Sequence, residues 1–439
     1  MSSPISKSLP SLFLWQFISV VVGLLTQVLL ARTLGPHDKG ILDLFLLIPV
    51  VGGSIAEFGL LTSNTYFAGK GTYSLPSLHA NSVLWSLGAG IVLLFVALAV
   101  SLGIASPFPS LTSEMFLLAI AAIAPSIYSS LWSGLMYGSD RAGKVYAVAA
   151  ITSLINLVAY GVALAAGVPL KTLLILSGIL LFIRAFISFL SVRTHTAVPF
   201  QPDIKALRQS FRYGVALYIG LALNTLHFRF VQFLVESMLG PADLGNFALA
   251  ARIAEMVWLL DFVVINASVF RITASVQQES TRITQRMTRM IGLAVSGMSL
   301  LIALSASFIV PWVFGADFTP TVLPLILLLP GIVGWSLARS LAQFVAYHQG
   351  RPWYNTAGAA VAFALNLVLN FLLIPTLGIA GAAIASSISY ISNLVFLAVV
   401  FRRLSGAKTL PTFIPQREDF VLLRQLLTDS VRPLFGRKG

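Results

Sequence analysis

Apolar residues along this chain gather into runs of about 20, the length a helix needs to cross roughly 30 Å of hydrocarbon, and short polar breaks separate the runs. Twelve runs are read, at residues 12–32, 41–68, 81–104, 115–137, 145–166, 170–192, 213–236, 246–270, 290–314, 321–347, 355–374 and 379–401. None alternates apolar with polar positions over about 10 residues, the mark of a barrel strand. The pattern predicts an all-α integral membrane protein with about 12 transmembrane helices. The first run has no small-residue cleavage pattern and is expected to stay as a span.

The polar breaks carry a repeat. LGPHDKG, from Leu34 to Gly40, returns as LGPADLG, from Leu239 to Gly245, 205 residues later. Glu57-Phe58 matches Asp261-Phe262 at an offset of 204, and Tyr137, Arg141 and Asn156 match Tyr347, Arg351 and Asn366 at 210. Six spans separate the copies, and an even number preserves orientation. The expected fold is therefore two parallel six-helix lobes related by pseudo-twofold symmetry along the membrane normal, about a central cavity. The expected domains are an N-terminal lobe at 1–196, a cytoplasmic linker at 197–212, a C-terminal lobe at 213–402 and a basic cytoplasmic tail at 403–439.

Composition agrees with the spans. Of 439 residues 57% are hydrophobic and 10% charged, more apolar surface than a soluble core of this size buries. A net charge of +13 would suit nucleic acid, but the basic residues follow the spans instead. With the N-terminus inside, twenty-one fall in cytoplasmic segments and three, Arg32, Lys39 and Lys171, fall outside, a bias that sets both termini cytoplasmic. In the tail, Phe420, Leu423, Leu427 and Val431 recur at helical spacing among Arg424 and Arg432. That fits a helix on an anionic inner leaflet as well as a solvated basic tail.

Cysteine is absent, which removes thiolate chemistry, and no zinc-peptidase, nucleotide-binding, nucleophile-elbow or dinucleotide motif occurs. Neither an enzyme nor a metal site nor a cofactor is expected. Four arginines remain inside spans: Arg184, Arg229, Arg252 and Arg339. Each costs roughly 2.5–3.5 kcal/mol at mid-span, so each must face protein, water or ligand. Thr225, Arg229, Gln232 and Glu236 make one polar stripe on the seventh span, and Arg252 shares a face with Glu255 on the eighth. Gln16, Gly23 and Gln27 align on the first span, and Asp43, Val50, Ser54 and Glu57 on the second. Spans one, two, seven and eight are thus expected to line the cavity. Arg184 sits near enough to the inner end to snorkel. Pro324, Pro330, Gly331 and Gly334 mark span ten, which carries Arg339, for a bend or a passive kink. Glu57, Glu255 and Asp261 are candidates to carry a coupling ion, H+ or Na+. The competing reading makes these charges structural, with Arg252 paired to Glu255. His227 is expected as a packed polar residue.

The LGPxDxG turn, the acid-Phe pair and the run NLVLNFLLIPTLGIAGAAIAS from Asn366 to Ser386 together resemble the polysaccharide transporter branch of the multidrug/oligosaccharidyl-lipid/polysaccharide (MOP) exporter superfamily, the Wzx-like flippases. The resemblance implies a MATE/MOP-like fold in the bacterial inner membrane, with alternating access. It implies outward movement of an undecaprenyl-diphosphate-linked oligosaccharide for surface polysaccharide biosynthesis, through a cationic cavity. A diphosphate suits bidentate guanidinium partners, which makes Arg229, Arg252, Arg339, Gln232 and Gln27 the candidate substrate-binding residues. The implied partners are the lipid-linked oligosaccharide, membrane lipids, and the polysaccharide polymerase with its chain-length machinery. Two other readings remain: a small-molecule or drug antiporter of the same superfamily, which for organic cations should show an acidic cavity, and a non-transporting membrane component of glycan assembly. A glycan polymerase or ligase needs a sizeable outer loop that this chain lacks.

Overall fold

A computed structural model describes residues 5–103, 107–193 and 200–406, with Phe413 and Gln416. The described residues form helices α1 (Ile5–Ala56), α2 (Leu60–Lys70), α3 (Leu75–Gly103), α4 (Ser113–Ala121), α5 (Ile123–Gly138), α6 (Ala142–Ala165) and α7 (Leu170–Arg193). They continue as α8 (Ile204–Leu239), α9 (Pro241–Glu255), α10 (Trp258–Ala274), α11 (Gln277–Phe314), α12 (Val322–Gln343) and α13 (Trp353–Ser405). A 3-10 helix, Ala316–Thr321, precedes α12, and a π-turn, Phe344–His348, follows it. Helix occupies all twelve expected spans. Among the described residues eight helices are long and apolar enough to cross a membrane, nine if the bent α8 is counted, and α1 and α13 each hold two expected spans. The expected tail helix from Arg417 onward lies outside the described residues.

The expected turn at LGPHDKG is confined to Gly35, where two helices merge into α1 across a kink and helix resumes at once. Gly35 takes φ 69° and ψ 177°, a conformation closed to residues with a Cβ. Pro36 then fits the first turn of the restarting helix, where no N–H is needed. In the second copy Gly240 takes φ 94° and ψ 179°, and Pro241 opens α9. Asp38 and Asp243 stand in the first turns that follow, where an acid suits the helix dipole.

The last glycine of each motif explains itself by contact. A Cβ on Gly40 would lie 1.7 Å from the Pro241 carbonyl oxygen, and one on Gly245 would lie 2.1 Å from that of Pro36. The two motifs therefore press backbone to backbone, each glycine against the other copy's proline.

A correction concerns span two, expected unbroken over 41–68. Helix stops after Ala56 and restarts at Leu60, through Phe58 at φ 46° and Gly59 at φ 73°. The carbonyls released by the break are satisfied by aromatic donors: Tyr218 donates its O–H to Ile55 O at 2.5 Å, and Trp85 its Nε1–H to Ala56 O at 2.9 Å. Span eight, expected unbroken over 246–270, likewise breaks between Glu255 and Trp258. Below the first break α2 packs tightly on α5. Gly134 and Gly138 set their backbone against the Leu61 and Thr65 carbonyls, and Thr65 returns a hydrogen bond to Gly134 O at 3.1 Å.

Lys39, expected in an outer loop, is only 1% exposed and pairs with Asp43 at 2.5 Å, one turn along α1. In the second copy the matching positions are Leu244 and Ala248, both buried. A buried ion pair in one copy thus stands where the other has an apolar pair. Exchanging buried pairs for apolar groups is often neutral, whereas removing one partner strands a charge. The double variant Lys39→Leu/Asp43→Ala is therefore expected to melt, in detergent, within about 1 kcal/mol of wild type, and Lys39→Leu alone below it. A double as unstable as the single would refute this account.

The described residues divide into two compact units, one running to Ala248 with Val310–Thr319, the other Leu249–Ile309 with Pro320 onward. Within the expected linker at 197–212, α8 begins at Ile204, capped by Asp203, whose Oδ1 accepts from the N–H groups of Lys205 and Ala206.

Candidate functional site

In the first unit, one face of α8 carries Thr225, Arg229, Gln232 and Glu236 at three- and four-residue steps. Thr225 and Arg229 are half-buried, while Gln232 and Glu236 are buried. Ser110, from the connection before α4, donates its Oγ–H to Glu236 Oε1 at 2.6 Å. The stripe therefore ends in an anchored acid and grows more accessible toward Arg229. His227, off this face, is fully buried and stacked beside Phe228. α1 packs on α8. Gln27 on α1 is half-buried, and its enclosed Oε1 has no partner among the described residues.

Glu57 sits at the break between α1 and α2, and Ser130 of α5 donates its Oγ–H to Glu57 Oε2 at 2.5 Å. Ser130 lies one turn before Gly134 and two before Gly138, so Glu57 caps the seam in which those glycines meet α2. Sequence reasoning passed over Ser130. Its signal was the Ser-x3-Gly-x3-Gly spacing on an apolar run, a stripe of small residues that lets helices approach. Trp85 and Tyr218, which serve the broken helix, left no such signal. Arg184 is exposed on α7, near Tyr137.

In the second unit α9 carries Arg252, which is exposed, and Glu255, which is half-buried. Past the break, Asp261 stands in the first turn of α10, fully enclosed. Arg339 on α12 reaches it, Nη1–H donating to Oδ1 at 3.0 Å, and Arg339 keeps 34% of its side chain exposed. Ser336, one turn earlier on α12, is a further polar side chain toward Asp261. An expected substrate arginine and an expected ion-coupling acid thus meet as one pair across 78 residues of sequence. The helix that carries Arg339 is continuous through Pro330, and Ser387 of α13 donates its Oγ–H to the Leu327 carbonyl beside it. Gln27, Glu57, Arg229 and Gln232 belong to the first unit, and Arg252, Glu255, Asp261 and Arg339 to the second. Among the described residues no cluster of three or more acids and histidines is arranged to hold a metal.

The arrangement supplies guanidinium groups with accessible edges and carboxylates held by single hydroxyl or guanidinium donors. Comparison with known proteins agrees in kind. A family model described as polysaccharide biosynthesis protein matches residues 29–323. No curated protein matches. Among solved structures, the lipid II flippase MurJ in an inward closed conformation superposes with TM-score 0.71 at 15% identity, over 98% of this chain and 93% of that one. An inward-facing multidrug resistance MATE family transporter of the MOP superfamily gives 0.69 at 16% identity, over 88% and 94%. A MOP superfamily transporter from Pyrococcus furiosus, described as having a binding pocket of reversed polarity, gives 0.63 at 12%, over 91% and 94%.

Proposed function

Because the chain belongs to the polysaccharide biosynthesis protein family and has the fold of MOP superfamily transporters, we propose that it is a flippase for an undecaprenyl-diphosphate-linked oligosaccharide. It moves this substrate outward across the bacterial inner membrane, with both termini cytoplasmic, by alternating access coupled to H+ or Na+, and it catalyses no bond change. It delivers the lipid-linked sugar to the polymerase and chain-length machinery.

One observation carries the substrate class: within the expected spans three candidate arginines keep accessible surface, and among the candidate acids only Glu255 does so. Arg252 is exposed, Arg339 keeps a third of its surface, and Arg229 is half-buried, while Glu57, Glu236 and Asp261 are enclosed and already hydrogen-bonded. Guanidinium groups bind diphosphate through paired N–H donors, and Gln232 and Gln27 add neutral contacts suited to phosphate or sugar hydroxyls. An organic cation would be repelled by the same residues.

The test is flipping of lipid-linked oligosaccharides in proteoliposomes, with and without an imposed pH or sodium gradient. Correctly inserted Arg229→Ala and Arg252→Ala proteins should each lose about tenfold in rate, the scale of one charge-assisted hydrogen bond. Normal rates in both would remove the arginines from the mechanism. No flipping by wild type under any gradient would remove the flippase reading itself.

A further inference from the structure

The pair in the second unit has an uneven construction. Asp261 is 0% exposed, yet its partner Arg339 is 34% exposed, and the contact is one hydrogen bond rather than a two-pronged fork. Arginine carries five N–H donors in a plane. The contact with Asp261 engages one of them, through Nη1. The acid cannot reach outward; the arginine can. α10 packs on α12 and on the π-turn 344–348, and among the described residues the charged or titratable side chains placed there are Arg339, the exposed Tyr347 and, toward the far end of α10, His348, whose Nδ1 bonds Ile272 O.

Resting on the flippase reading above, we propose that Asp261 is a placeholder anion: it holds Arg339 while the protein is empty and yields it to the substrate's phosphate, taking a cation in exchange. The charges balance at each stage. In the empty protein the acid and the guanidinium cancel. When a phosphate oxygen takes the guanidinium, the enclosed carboxylate loses its counter-charge, and a group without solvent access must then bind H+ or Na+. Capture of substrate and capture of the coupling ion thus become one event, joined through a single arginine. This is reciprocal linkage: occupancy by the phosphate and occupancy by the cation each favour the other. A purely structural ion pair makes no such demand, since it stays closed throughout.

The exchange is tested on the whole protein in nanodiscs with undecaprenyl diphosphate as the probe. Affinity is followed by native mass spectrometry, proton uptake by a pH indicator at low buffer, and sodium uptake by a radioactive tracer. Wild type should take up close to one proton or one sodium ion per diphosphate bound, the two arms telling which. Asp261→Asn, which keeps the shape and removes the competing charge, should bind at least about fivefold tighter, the lower end of common coupling factors, and take up no ion. Affinity unchanged or weaker in an Asp261→Asn protein that melts like wild type would overturn the proposal. If that variant does not fold, the wild-type uptake decides alone: diphosphate binding without ion uptake overturns the exchange and leaves the flippase reading standing. Wild type that binds no diphosphate overturns both.

Discussion

Gly40→Ala is expected to abolish the folded protein. A methyl group there would have to sit 1.7 Å from the carbonyl oxygen of Pro241 and 2.6 Å from its carbon, distances no Cβ tolerates. The obstacle is backbone at the mouth of a helix, so no flexible side chain can swing aside. The reverse change meets the same wall, since a Cβ on Gly245 lies 2.1 Å from Pro36 O. Over-packing a core ordinarily costs about 1–3 kcal/mol, and where the neighbour is backbone the upper end is the floor. The measurement is monodispersity and melting temperature in detergent, with Gly23→Ala on the same helix as control, because nothing lies within 4 Å of its added methyl. Gly40→Ala protein that purifies and melts as Gly23→Ala does would refute the contact.

Arg339→Ala should combine a stability loss with a transport loss. Asp261 is left as an enclosed carboxylate without its guanidinium, and breaking one side of a buried pair costs about 3–5 kcal/mol. Flipping should fall by about a hundredfold in the protein that survives, the upper range for losing a charge-assisted contact. The two losses separate in Arg339→Gln/Asp261→Asn, which removes both charges. Melting temperature should return most of the way to wild type while transport stays low. Transport that returned together with stability would reduce the pair to scaffolding.

These variants rest on features that were unequally legible in the sequence. The helices could be placed because lipid forces apolar continuity, so hydropathy alone located helix in the expected runs. The repeat was visible as LGPxDxG, and the turn lies where it was expected, but its tightness was not legible. A Gly-Pro pair between two apolar runs looks like a loop, and only the φ of Gly35 and Gly240 reveals a helix that turns and resumes. The break at Glu57 escaped notice because its compensation comes from far away: Tyr218 and Trp85 lie 163 and 29 residues from the carbonyls they satisfy. Lys39 was assigned to the outside by its neighbours, although Asp43 four residues on was the local sign of a pair within one helix. The Arg339–Asp261 pair had no local sign. Both residues were singled out as charges that lipid should not hold, and the cost of burying each was the reason they had to find the other.

The reciprocal contact of Gly40 with Pro241 and Gly245 with Pro36 has the geometry of an isologous interface, in which one patch meets its own copy. Two identical half-length chains could make it as a homodimer, but every residue on one side would then be obliged to appear on the other. Joined in one chain, the copies are free of that obligation. Lys39 and Asp43 occupy one side, where Leu244 and Ala248 occupy the other, a division of labour closed to two identical chains.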